Sequence, residues 1–89
     1  MGFNLVFSQE ADIEFNLIDC FFGALGKEKK FHKDFHRQMV NIKENPFQFQ
    51  IRYQDIRIVH LKYFKYSIHF NIVKNNIIIL RVLGQYQSY

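Results

Sequence analysis

The chain has 89 residues and a net charge of +4, and its aromatic content comes from eleven Phe and five Tyr. Four Gly, one Pro and one Cys exclude a collagen-like chain and a disulfide-stapled miniprotein, and they argue against disorder. One α+β domain over residues 1–89 is expected, in which large aromatic side chains compensate for the small size. No signal peptide or membrane span is predicted, because the start soon turns acidic and the longest apolar run is Ile77–Leu80. We therefore expect a cytoplasmic protein.

Charge is distributed unevenly along the chain. Residues 52–81 carry six basic side chains against one acid, a net +5, whereas residues 1–51 carry a net −1. This asymmetry indicates an acidic partner for the second half, either nucleic acid or an acidic protein segment. The basic residues are Arg52, Arg57, Lys62, Lys65, Lys74 and Arg81.

The first predicted elements are a short strand and a helix. Phe3, Leu5 and Phe7 alternate at period two, as side chains on one face of a strand do. Ser8 stands where an N-cap belongs, with acids in the first turn that complement the helix dipole. Gly26 is expected to end the helix or to link it to the next. The predicted apolar face consists of Ile13, Leu17, Ile18, Phe21, Phe22 and Leu25.

A second helix is predicted over residues 27–43, and Pro46 ends it because the residue before a proline disfavours α geometry. The two helices are close enough in sequence to form an antiparallel hairpin. One apolar stripe is expected to bury the second helix, at spacings of four, four and three residues. It comprises Phe31, Phe35, Met39 and Ile42.

Everything after Pro46 is predicted to be β-structure. Residues 51–58 alternate, residues 66–73 and 77–83 form a hairpin about the polar turn at Lys74, and residues 62–65 turn the preceding strand into that hairpin. The nearly unbroken apolar run of the last strand is typical of a central strand. The predicted fold class is α+β, with a single antiparallel-rich sheet in the order β-α-α-β-β-β. An N-terminal helical hairpin packs on one face of this sheet.

Cysteine and histidine give no sign of a metal or cofactor site. Cys20 is the only cysteine, and its apolar neighbours predict a buried thiol. His32 and His36 lie one helical turn apart without a third ligand, which favours two surface histidines over a metal site. His60 and His69 lie in predicted strands, and neither has a partner at catalytic spacing. No cofactor and no metal are therefore expected.

The chain resembles the RelE/ParE toxins over essentially its whole length. The resemblance rests on VFS before an acid-rich helix, on Asn-Pro after the second helix, and on the string NPFQFQIRYQDIRIVHLKYFKYSIHFNIVKNNIIILRVLG with its terminal apolar strand. The ParE-like branch is the nearer match. The resemblance implies a toxin of a type II toxin–antitoxin system, as in plasmid stabilization, with a cognate antitoxin that covers the sheet and helices. It implies DNA gyrase as the target in the ParE branch, or mRNA on the ribosome in the RelE branch.

The catalytic set of the RelE branch is incomplete in this chain. Cleavage by a 2′-hydroxyl requires groups that activate the hydroxyl, stabilise the charge and protonate the leaving oxygen. Ser67 follows Tyr66 where that branch has an arginine, and no Arg or His follows the last strand. A non-enzymatic, ParE-like toxin is therefore favoured, with a ribosome-dependent endonuclease or a degenerate, non-toxic binding module as alternatives. If the chain is a nuclease, its candidate catalytic residues are Arg52, Arg57, Arg81 and Tyr86.

The basic residues of the second half are the candidates for binding the target or the antitoxin. An alternative is that they form only the solvated face of an antiparallel sheet. Arg81 differs because it interrupts an apolar strand, so it is expected to face the exposed side or to pair with an acid. The sequence also leaves open whether the chain forms a homodimer. The predicted binding residues are Arg52, Arg57, Lys62, Lys65 and Arg81.

Overall fold

The computed structural model describes residues 2–85, which form two helices, a 3-10 turn and a five-stranded sheet. The elements are β1 (Asn4–Phe7), α1 (Gln9–Ala24), α2 (Glu28–Glu44), the 3-10 turn (Pro46–Gln48), β2 (Ile51–Tyr53), β3 (Ile56–His60), β4 (Tyr66–Val73) and β5 (Asn76–Gly84). The strand order is β1-β5-β4-β3-β2, with β1 parallel to β5 and every other pair antiparallel. The predicted α+β fold class and helical hairpin are confirmed. Neither helix in this part of the chain is long and apolar enough to cross a membrane.

The region between α2 and β4 contains two strands separated by a tight turn. Tyr53 pairs with Ile56, so the turn has only two residues, Gln54 and Asp55. Both have positive φ, 43° and 63°, as the hairpin turns that match strand twist require. The alternating residues 51–58 thus form the short β2–β3 hairpin at one edge of the sheet.

Local signals set both ends of α1, as the sequence predicts. The Ser8 hydroxyl accepts a hydrogen bond from the backbone N–H of Ala11 at 3.0 Å, which is an N-cap. At the other end Gly26 has a φ of +70°, and its N–H donates to the carbonyl of Gly23. The N–H of Lys27 donates to the carbonyl of Phe22 at 2.8 Å, which completes a Schellman motif.

The core lies between one face of the sheet and the two helices. The predicted α2 stripe is confirmed, since all four of its residues are buried. Phe31 is fully buried and lies 5.1 Å from Phe22 between ring centroids, while Phe15 lies 4.7 Å from Phe35. Burying one such ring contributes about 2–3 kcal/mol, so this cluster supplies much of the driving force for the helical hairpin.

The predicted apolar face of α1 is only partly correct. Ile18 and Phe22 are buried, but Ile13, Leu17, Phe21 and Leu25 are each more than half exposed. The physical reason is the position of these residues around the helix axis. Successive residues of an α-helix are about 100° apart, so the row formed by residues 13, 17 and 21 lies about 130° around the axis from the buried residues. The buried set includes Ala11 and the half-buried Phe15, which the sequence analysis missed.

The prediction of a buried thiol is wrong, because Cys20 is exposed. Its apolar neighbours in sequence do not share its face of α1. Position 20 lies about 200° round the helix from Ile18, which points into the core. Sequence proximity to Phe21 and Phe22 therefore does not bury the sulfur.

A buried carboxylate fixes the bend between β3 and β4. Asp34 on α2 is 1% exposed and accepts hydrogen bonds from three consecutive backbone N–H groups. The donors are Lys62 at 3.1 Å, Tyr63 at 2.8 Å and Phe64 at 3.1 Å. Backbone donors at such a bend have no strand partner, so the carboxylate replaces the missing acceptors.

Replacement of Asp34 by Ala should destabilise the protein more than a surface change does. Asp34→Ala leaves three backbone donors without their acceptor, and the expected loss is about 3 kcal/mol in the free energy of unfolding. Asp12→Ala is the control, because this exposed acid lies in the first turn of α1, where a carboxylate complements the helix dipole, and its loss should cost less than about 1 kcal/mol. Urea unfolding measures both, and equal losses would contradict the role given to Asp34.

Candidate functional site

Helix α1 closes the edge of β5 that β1 leaves open. β1 pairs with β5 only as far as Ile79. Beyond that point the Ser8 hydroxyl donates to the carbonyl of Leu80 at 2.9 Å. The carboxylate of Glu14 accepts the backbone N–H of Val82 at 2.8 Å. Side chains of the helix and its cap therefore take the place of a neighbouring strand along this edge.

A β-bulge in β5 sets the direction of Arg81. Phe70 of β4 pairs with Ile79, whereas the preceding residue, His69, pairs with Arg81. Leu80 is therefore an extra residue on β5, and such a bulge redirects the side chains that follow it. Arg81 consequently lies opposite His69, on the face of the sheet opposite to the one that carries Phe70.

Arg81 is bound to Glu14. Its Nε and Nη2 atoms both donate to Oε2 of Glu14, at 2.9 Å and 2.6 Å. This hydrogen bonding raises the pKa of the Arg81 guanidinium above its usual value. The expectation that Arg81 pairs with an acid is confirmed. The same carboxylate binds Val82, so one side chain of α1 holds both a charged group and a backbone group of β5.

An apolar row and a groove lie beside this Glu14 contact. The row is the exposed face of α1, with Ile13 51%, Leu17 67% and Phe21 56% exposed. The groove has a volume of about 210 Å³ and runs between α1 and the far end of β5. Leu17 belongs to both, so the row and the groove form one continuous surface, here named the α1 surface. The groove is lined by Glu14, Leu17, Ile18, Tyr66, Val82 and Leu83.

The other basic residues proposed from the sequence lie in three places. Arg52 is exposed on β2. Arg57 donates from Nη1 to the carbonyl of Phe49 at 2.6 Å, and its guanidinium lies 5.3 Å from the centre of the Phe47 ring. Lys62 and Lys65 are exposed in the β3–β4 bend. The remaining candidate, Tyr86, lies outside the described residues.

The structure separates Arg57 from Arg81. Arg57 pairs with Phe70, and Arg81 pairs with His69. Since adjacent residues of a strand point to opposite faces, the two arginines lie on opposite faces of the sheet. They do not converge on one phosphate-sized site.

Two polar pairs on the sheet escaped the sequence analysis. The Tyr53 hydroxyl and Nδ1 of His69 form a hydrogen bond of 3.0 Å, and Nδ1 of His60 and the Ser67 hydroxyl form one of 2.6 Å. Burial, followed by the positive charge of Arg81, lowers the pKa of His69 to about 4. His69 is therefore neutral at pH 7. A group with so low a pKa is a poor general acid or base at that pH.

One of the two helix histidines, His32, contacts both α1 and the aromatic cluster. Nε2 of His32 lies 2.5 Å from Oδ1 of Asp19, and its ring stacks on Phe15 with centroids 5.9 Å apart. His36 is exposed on the same helix. Across residues 2–85, no group of three His, Cys, Asp or Glu side chains could hold a metal ion.

Comparison with known proteins relates the chain to a protein family and to solved structures. The family described as "ParE toxin of type II toxin-antitoxin system, parDE" matches residues 5–89. A solved structure described as "Chromosomal ParDE TA system from P. aeruginosa" aligns with a TM-score of 0.77 at 20% identity, over 92% of this chain and 95% of that chain. At this identity the likeness shows a shared fold. No curated protein matches.

Acid should destabilise the fold through His69. The unfolded chain binds a proton at His69 below about pH 6.5, but the folded chain binds it only near pH 4. Stability is therefore fully present above pH 6.5 and is lost as the pH falls towards 4, by up to roughly 3 kcal/mol. Urea unfolding across this range should show the loss in the wild type and in His36→Gln, but much less of it in His69→Gln.

Titration of His69 in the wild-type protein tests the same prediction without a variant that could misfold. The imidazole chemical shifts of His69 in the wild-type protein should stay those of a neutral ring down to about pH 4. Titration of His69 near its ordinary value of 6.5 would contradict the burial argument.

Proposed function

Because the chain belongs to the family of ParE toxins of type II toxin–antitoxin systems, we propose that it inhibits growth by binding a macromolecular target and is neutralised by a cognate antitoxin. The proposed target is DNA gyrase, on the resemblance to the ParE branch. Both proposed partners act inside the bacterial cell, so a cytoplasmic location is part of this proposal. The action is one of binding rather than of catalysis.

The observation that carries the proposal is the α1 surface. Apolar residues at positions 13, 17 and 21 are more than half exposed beside an open groove, and such contiguous patches typically mark protein-binding sites. The floor of the groove is apolar, because the nearly buried residues Val82 and Leu83 line it. An antitoxin segment that places an apolar side chain between Leu17 and Leu83 would cover both the row and the groove.

The state of the arginines supports binding over RNA cleavage. Arg81 is neutralised by Glu14, and Arg57 is committed to a backbone carbonyl on the opposite face of the sheet. His69 is buried and neutral at pH 7. A ribonuclease needs available groups that activate the attacking hydroxyl and stabilise the charged transition state. Of the candidate catalytic residues that the structure describes, Arg57 and Arg81 are engaged within the fold, and Arg52 is exposed on β2.

The class of target can be read from cells and from purified enzyme. Inducible expression should arrest growth with filamentation, a DNA-damage response and intact transcripts, and the purified protein should inhibit supercoiling by gyrase. Cleavage of mRNA in translating ribosomes, lost in Arg81→Ala, would make the protein a nuclease instead. Absence of growth arrest together with normal supercoiling would favour a non-toxic binding module.

Charges placed on the α1 surface should abolish neutralisation but preserve toxicity. The variant carries Leu17→Glu and Phe21→Glu. Binding of the antitoxin to this variant would bury two carboxylates, so the affinity should fall at least about 100-fold. Glu favours helix, so α1 itself should persist. Binding is measured with the purified antitoxin encoded beside this gene, and toxicity by growth after induction.

The matched control is Val40→Glu, an exposed apolar residue on α2 that is outside the α1 surface. It should bind the antitoxin as the wild type does. If the α1 double variant kept full antitoxin affinity, the α1 surface would not be the neutralisation site.

A further inference from the structure

A second opening lies between α2 and the β3–β4 bend. Its volume is about 370 Å³, and it shares no lining residue with the groove at α1. We name it the α2 pocket. It is lined by Lys30, Lys33, Asp34, Arg37, Tyr63 and Phe64.

The rim of the α2 pocket is strongly cationic. Lys30, Lys33 and Arg37 follow each other at three and four residues, so they share one face of α2 despite mutual repulsion. Lys62 lies at the same opening, with Nζ 5.3 Å from the centre of the Tyr63 ring. The one acid of the lining, Asp34, is buried, accepts hydrogen bonds from three backbone N–H groups and pairs with Arg37 at 3.5 Å between Oδ1 and Nη1. The outward positive charge therefore comes from the lysines, and it favours carboxylates or phosphates as ligands.

The interior of the α2 pocket is aromatic. Tyr63 is 67% exposed, whereas Phe64 is half-buried and packs 4.7 Å from Phe22 between ring centroids. The Arg37 guanidinium and the Lys62 ammonium already lie over the Tyr63 ring, at 5.5 Å and 5.3 Å. A nucleobase would have to displace these cations to stack on that ring. A carboxylate, by contrast, can pair with the lysines of the pocket without displacing either cation from that ring.

We propose that the α2 pocket binds an acidic segment of the protein that this toxin inhibits, with carboxylates on the lysines and an apolar side chain against Tyr63 and Phe64. The volume suits one or two side chains rather than a strand of nucleic acid. The assignment of the segment to the target rests on the proposed function. It follows from the separation of this pocket from the α1 surface, which leaves each partner its own residues.

The first experiment measures the pocket without any reference to toxicity. The probe is a fluorescent peptide Asp-Glu-Phe-Asp-Glu, compared with Asn-Gln-Phe-Asn-Gln and with a single-stranded oligothymidylate of equal length. The wild type should bind the acidic peptide most tightly, and Lys30→Gln with Lys33→Gln should weaken that binding about 10-fold. The control, Lys29→Gln with Lys43→Gln, removes the same charge from the same helix and should change it less than about 2-fold.

Three results of this peptide experiment would overturn the proposal. They are equal losses in the two double variants, equal binding of the neutral peptide, and tighter binding of the oligothymidylate than of the acidic peptide. The last result would make the pocket a nucleic-acid site. Thermal unfolding of both double variants checks that neither loss reflects misfolding.

The second experiment assigns the occupant in cells and with purified antitoxin. The pocket double variant should lose growth arrest and keep antitoxin affinity, while the Lys29/Lys43 double variant should keep both. Retained growth arrest, or lost antitoxin affinity in the pocket variant, would overturn the assignment to the target. If the wild type itself fails to arrest growth, the proposed function fails, and the peptide experiment still decides whether the pocket binds acidic segments.

Discussion

The architecture depends on how the unmatched half of β5 is closed. β1 has four residues and β5 has nine, so strand pairing on that side ends at Ile79. A buried backbone group without a partner costs about 1–3 kcal/mol, which makes an uncovered edge expensive in a domain this small. Ser8 and Glu14 supply the missing partners for Leu80 and Val82. This requirement draws α1 to the sheet edge and fixes its rotation.

The rotation of α1 explains the surface that the protein presents. With Glu14 held at the edge, Ile18 and Phe22 face the core and the row at positions 13, 17 and 21 faces outward. The same contact pairs the charge of Arg81 with a carboxylate. The fold thus presents an apolar surface on α1 and, separately, a cationic pocket on α2.

The sequence predicted the structure correctly where the apolar residues of an element are confined to one face. The α2 stripe was predictable because its apolar residues occupy one narrow arc, and the β4–β5 hairpin because alternation flanks a polar turn. The apolar residues of α1 span a wide arc, so periodicity could not tell which part meets the core. Cys20 was misplaced for the same reason. The β2–β3 turn lacks glycine, so its positive φ values carried no sequence signal.

The candidate site was harder to predict than the fold. An acid partner for Arg81 could be expected from the cost of a buried charge, but not that it would be Glu14, which is 67 residues away. The role of Asp34 could not be predicted from the sequence, because its partners include backbone groups of a distant bend. Exposed aromatic residues such as Tyr63 give no sequence signal of the pocket that they line. These features depend on tertiary proximity.

Hydrogen–deuterium exchange on the toxin with and without its antitoxin tests the central claim most directly. The claim is that the antitoxin covers the α1 surface while the α2 pocket stays available. Binding should slow amide exchange across residues 13–25 and at residues 82–84, and should leave residues 30–37 and 62–64 as they are in the isolated toxin. Slowed exchange confined to α2 and the β3–β4 bend, with unchanged exchange in α1, would contradict this account.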